Sequence, residues 1–185
     1  MGKVKGAIIV VVLAVLVGGY YFYISNMEKE SEETTISAVQ DVLLRNLDND
    51  YPSTPKELLR YYCEITKCLY NENYTDNQLE QMADKLLALY DEELAQNNPR
   101  EQYIDDLKED VQEFLDSNYS IVSYTTSSST DVEEYTYDGR TCAKLYCTYS
   151  IKSGSDYVSS RMVFILRKET GSGHWKILGF EPVTE

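Results

Sequence analysis

Histidine is nearly absent from this chain. Its 185 residues include one, His174, next to the one tryptophan, Trp175. A multi-histidine metal centre is therefore excluded, and any catalytic triad that uses histidine has His174 alone to draw on. Alternation along the last strand-like segment leaves His174 at a strand start near solvent. Glycine is sparse as well, and none of the nine is arranged as a phosphate-cradling loop. HExxH and GxSxG are missing, so no catalytic residue, metal or cofactor is expected. Basic side chains are few, with 17 Lys and Arg against 31 Asp and Glu, for a formal net charge of −14. The deficit is local: Ser25–Asn118 holds 23 acidic and 8 basic residues, and Tyr119 onward holds 8 and 7. Such a surface repels phosphate backbones, so no nucleic-acid partner is expected. It fits a basic partner, a cation-rich wall or plain solubility. The acidic runs "DND" (48–50) and "NENYTDN" (71–77) lack the central glycine and the closing glutamate of a calcium loop. They read as helix caps and turns.

What the chain does have is one long apolar run. Residues 6 to 24, "GAIIVVVLAVLVGGYYFYI", contain no charge and no proline. At ~1.5 Å per residue they match the ~30 Å hydrocarbon core of a bilayer. A secretory signal has a shorter apolar core, ~7–15 residues, ending in small residues. Here Gly18-Gly19 is followed at once by Tyr20, Tyr21, Phe22 and Tyr23, aromatics suited to a membrane–water interface. The sequence thus predicts a retained anchor rather than a cleaved signal. Lys3 and Lys5 flank it on one side, and Glu28, Glu30, Glu32 and Glu33 with one Lys29 on the other. The positive-inside bias then leaves residues 1–5 as a cytoplasmic stub and puts everything after Ile24 outside.

Residues 25–33 read as a charged spacer before a single domain, 34–185, helical to 118 and sheet-forming from 119. Four helical segments are expected. The first carries Ile36, Val39, Val42, Leu43 and Leu47 on one stripe and ends at "DNDYPSTP". The second opens on Thr54-Pro55-Lys56-Glu57, a cap, a first-turn proline and an acid three residues after the cap. The third starts at Thr75 with Gln78 in the capping-box position and runs through Tyr90 and Leu94. The fourth starts at an Asn98 cap before Pro99. Beyond Asn118 come "YSIVSYTT", "DVEEYTY", "TCAKLYCTYSIK", "DYVSSRMVFILRK" and "HWKILGFEPV", separated by short turn-like stretches. Consecutive strands should pair as an antiparallel meander of four to five strands. In the third of them Ala143, Leu145, Cys147, Tyr149 and Ile151 share an apolar face, with Cys142, Lys144, Tyr146 and Thr148 opposite. The fold class is α+β, with the helices packed on one side of a curved sheet.

Four cysteines, Cys63, Cys68, Cys142 and Cys147, carry the one candidate for covalent chemistry. Cys63 and Cys68 are separated by ~500° of helical rotation and their α-carbons by ~8 Å. Cys142 and Cys147 face opposite ways on a strand, ~16 Å apart. Neither local pair can bridge, and four ligands so placed do not converge on zinc. What remains open is a long-range disulfide from the second helix to the third strand, with Cys147 favoured on the sheet, or a set of buried free thiols. The 17 tyrosines read as packing residues with wet hydroxyls or as the lining of a pocket.

The order of helices followed by a sheet that ends in "GHWKILGF" resembles the cystatin-like cone of ketosteroid isomerases and nuclear-transport-factor-type domains. The catalytic tyrosine and aspartate of those isomerases find no matching motif here. The stretches "YPSTPKELLRYYCEITKCLYNENYTDNQLEQMADKLLALYDEEL" and "SSSTDVEEYTYDGRTCAKLYCTYSI" are similar to a family of single-pass membrane proteins from Gram-positive anaerobes, a domain of unknown function. That similarity covers nearly the whole chain and implies no activity. The expected function is a membrane-anchored outer domain that binds a protein, peptide or wall component or assembles an envelope complex. Cone-type domains behind one span also occur in conjugation machines. The competing expectation is a small-ligand-binding or enzymatic cone with a pocket in its interior.

Overall fold

The computed structural model describes residues 37–183. The expected anchor, 6–24, and its rim, Tyr20 to Tyr23, lie outside these residues. Among the described residues no helix is long and apolar enough to cross a membrane. The described residues form five α-helices rather than the four expected. Helix α1 (Ala38–Leu44) opens on a capping box in which Ser37 and Gln40 each accept the other's backbone N–H. It ends earlier than its apolar stripe suggests, because local side-chain bonds compete with the helix. Asn46 Oδ1 accepts the Asp48 N–H at 2.9 Å, and Arg45 Nε donates to the Asp50 carbonyl at 2.9 Å. Leu47 still packs on the core from this turn. Helix α2 (Pro55–Asn71) starts where its signals place it, with Thr54 Oγ1 accepting the Glu57 N–H. It is the central helix, burying Leu58, Leu59, Cys63, Ile65 and Leu69.

Helix α3 (Asp76–Leu89) has the expected Thr75/Gln78 box. It does not continue through Tyr90 to Leu94. At Tyr90 the backbone turns extended and makes a parallel bridge to Ile177, and the Asp91 N–H donates to the Ile177 carbonyl at 2.7 Å. The short α4 (Glu92–Gln96) then restarts with Asp91 as its cap. Helix α5 (Arg100–Asp116) is preceded by Pro99 with no side-chain cap. Asn98, expected as that cap, instead donates from Nδ2 to the Leu94 carbonyl at 2.7 Å. The α3–α4 break places Asp91 in a buried ion pair. Arg167, 5% exposed, donates from Nε to Asp91 Oδ2 at 2.9 Å, makes a second bond to Oδ1, and reaches Glu93 at 2.8 Å.

The strands are β1 (Tyr119–Thr126), β2 (Glu133–Tyr137), β3 (Arg140–Ser153), β4 (Asp156–Lys168) and β5 (Trp175–Pro182), all paired antiparallel. Three consecutive pairs form as expected, but β1 and β2 do not pair with each other. Both pair with β3, β1 along Cys147–Ser153 and β2 along Arg140–Lys144. They are two pieces of one edge, interrupted by residues 127–132, which leave the sheet through a single 3₁₀ turn, Ser129–Asp131. The "DG" between β2 and β3 is a tight hairpin whose two residues both have positive φ, 49° at Asp138 and 71° at Gly139. Bulges at Val122, between β1 and β3, and at Leu178, between β4 and β5, each bend their strand.

The apolar face of β3 is buried as expected: Ala143, Leu145 and Cys147 are inaccessible, and Tyr149 nearly so. The correction lies on the other face. Cys142, expected among amphipathic neighbours, is fully buried. It sits in register with Arg167, and the Asp91–Glu93 segment bound to Arg167 covers that end of the face.

Candidate functional site: an aromatic cleft between α2, α5 and the sheet

Helical and strand periodicities converge on one opening. From α2 come Tyr62, Thr66 and Tyr70, four residues apart and so on one face. From α5 come Asp110, Glu113 and Phe114, with Ser117 capping its C-terminus, again a single helical face. The sheet supplies Tyr119 and Ile121 from β1, Tyr149 and Ile151 from β3, Met162 and Phe164 from β4 and Phe180 from β5. Together they enclose a cleft of about 420 Å³, within the ~300–1,000 Å³ range of small-molecule sites. A second cavity of about 310 Å³ adjoins it, sharing Tyr62, Thr66, Tyr70, Asp110 and Phe180 and adding Asp106 and Tyr103.

The walls are aromatic, joined in edge-to-face and stacked pairs. Tyr62 meets Phe164 at 5.3 Å between ring centroids, and Phe164 stacks on Phe180 at 5.3 Å. Near the α5 side, Tyr70 meets Phe114 at 4.8 Å and Phe114 meets Tyr119 at 5.5 Å. Burial pushes the Tyr70 hydroxyl up to about 12, with nearby Asp110 adding to it. Burial raises Tyr62 and Tyr149 further still. These hydroxyls stay protonated near neutral pH and act as hydrogen-bonding groups, not as bases. The charged side chains lining the two cavities are Asp106, Asp110 and Glu113, with no basic residue among them.

The residues singled out from sequence fall elsewhere. His174 is half-buried rather than solvent-facing, stacked on Tyr51 with centroids 4.2 Å apart and planes 8° off parallel. It is not part of the cleft. Of the four cysteines, the fold brings two together: Cys63 Sγ lies 3.2 Å from Cys147 Sγ, and the Tyr149 hydroxyl donates to Cys63 Sγ at 3.3 Å. All four are buried, and no S–S bond joins them in the structure; burial raises the Cys63 thiol well above the ordinary thiol range and the Cys68 thiol to about 11. Among the described residues no group of acidic, cysteine and histidine side chains is placed to hold a metal ion. The sequence places Tyr149 and Ile151 on the apolar face of β3 but does not group them with the other cleft residues. The local signal on α2 is the four-residue spacing Tyr62–Thr66–Tyr70, which starts at the edge of that helix's buried stripe.

Fold and cleft together define an α+β domain built as helices over a bent antiparallel sheet, with an acidic-rimmed aromatic opening between them. The chain belongs to the family described as a domain of unknown function (DUF6715), which matches residues 1–180. No curated protein matches it.

Proposed function

We infer that this chain is a membrane-anchored extracytoplasmic binding domain whose ligand is a small molecule or side chain with an apolar body and a cationic end. The observation that carries this reading is the aromatic cleft of about 420 Å³ whose charged lining is acidic. An interior filled by side chains would have removed the small-ligand alternative and left a purely scaffolding domain. Aromatic faces attract cations through the ring quadrupole, by ~0.5–2 kcal/mol per contact. Tyr62, Tyr70, Phe114 and Phe164 provide such faces next to Asp110 and Glu113. The anchored, outward placement rests on the apolar run at 6–24 and the lysine and glutamate flanks on its two sides.

The test is titration of the full chain in detergent micelles with benzyltrimethylammonium and with its uncharged carbon isostere, neopentylbenzene. The cation should bind in the millimolar range or better and the isostere at least fivefold more weakly. Asp110→Asn combined with Glu113→Gln should abolish that preference without lowering Tm. Equal affinity for both probes, or none for the cation, would overturn the reading.

A further inference from the structure

We propose that Cys63 and Cys147 become a disulfide as the chain folds, a covalent lock between the central helix and the central strand. Their sulfurs are 3.2 Å apart, and both residues are wholly inaccessible. A small side-chain adjustment closes that gap to the ~2.05 Å of a bond. The other two thiols have different surroundings. Cys142 Sγ faces the Arg140 carbonyl at 3.8 Å on the opposite side of the sheet, and Cys68 lies five residues further along α2. The fold therefore selects one pairing of the six that four cysteines allow.

The chemistry needs an external oxidant, and a protein or small-molecule disulfide, RSSR, is the class required. A thiolate of one cysteine attacks RSSR, releasing RSH and forming a mixed disulfide. The second cysteine's thiolate then displaces the remaining RS group as RSH. The two cysteines lose two electrons, RSSR gains them, and the two thiol protons leave on the two RSH products. In the folded protein neither sulfur can be reached by such a reagent. The exchange thus belongs to the folding chain, before α2 closes over β3, and the finished bond is shielded from reductants by the same burial. Oxidants of this class are found outside the cytoplasm, on the side of the membrane to which the flanking charges assign the domain. The bond closes a loop between residues 84 positions apart, long enough for substantial restriction of the unfolded chain. The inference stands on the sulfur geometry and is independent of what the cleft binds.

The decisive measurement is a thiol map of the full chain, taken from its native membrane after quenching with N-ethylmaleimide in denaturant. The expected result is a Cys63–Cys147 linked peptide, with Cys68 and Cys142 alkylated. Four alkylated cysteines, or Cys63 linked to any other cysteine, would overturn the proposal. A second measurement addresses the lock itself. The full chain is refolded in micelles with a glutathione couple or with excess reductant, and the two products are melted. The oxidised form should melt about 10 °C higher. Cys142→Ser should retain that gap, and Cys147→Ser should lose it. An oxidised form that carries the bond yet melts no higher would remove the locking role.

Discussion

Asp91 and Arg167 show how one residue pair can dictate local backbone. A carboxylate buried to 4% exposure would ordinarily be neutral, since burial opposes its charge. The hydrogen bonds from Arg167 and from the Glu93 N–H override that penalty, with Arg140 adding to them, and hold the Asp91 pKa below the usual carboxylate value. The sign follows from linkage. A depressed native pKa contributes stability above the unfolded value of ~3.9, and that contribution disappears as pH falls through the native pKa. The wild-type Tm should therefore drop from about pH 4 downward, and Asp91→Asn should show a lower neutral Tm with a flatter acid limb. Asp91→Ala should cost about 3–5 kcal/mol, because Arg167 would keep its charge in a buried site without its main partner. Chemical denaturation at pH 7 measures that cost, and a loss below 1 kcal/mol would mean that the pair is solvated.

Individual elements divide by whether their causes are local. The starts of α2 and α3 were readable because each cap is satisfied within three residues, Thr54 by the Glu57 N–H and Thr75 by Gln78. Thr75→Ala should lower stability by about 1 kcal/mol in urea unfolding, with little change in the slope. The end of α3 was not readable. Its stripe continues through Leu94, and what stops it is Ile177 and Arg167, residues separated from the break by most of the second half of the chain. The pairing of β1 with β3 was hidden for a similar reason. Only the tertiary fold shows that 127–132 is an excursion from one edge and not a hairpin turn. There Ser127 takes over the sheet's bonding, its N–H donating to the Tyr146 carbonyl and its Oγ accepting the Tyr146 N–H, both at 2.9 Å. Ser127→Ala leaves that N–H without its acceptor, and amide exchange at Tyr146 should accelerate while the β3–β4 amides stay protected.

At the scale of the molecule, the α+β class, the order of helices before strands and the buried face of β3 were legible from periodicity. The cleft was not, because it is made by juxtaposing α2, α5 and four strands, and no single segment carries it. Tyrosine count hinted at a lining without saying which of the 17 residues formed it. The proposed anchoring has its own test. Alkaline carbonate should fail to extract the full chain from membranes, and protease added to intact, wall-stripped cells should degrade the domain. Release into the carbonate supernatant would refute the anchor, and full protection from protease would refute the outward orientation.

The α3–α4 break also bears on the order in which the molecule can be made. Among the described residues synthesis delivers every α-helix before any strand, yet Asp91 finds its partner only at Arg167 and Tyr90 only at Ile177. Cys63 likewise waits for Cys147. The helical half therefore spends the interval of strand synthesis with its apolar faces open, unable to complete itself. A ribosome-tethered chain ending near residue 118 should accordingly be cut readily by protease, and protection should arrive only once β5 has emerged.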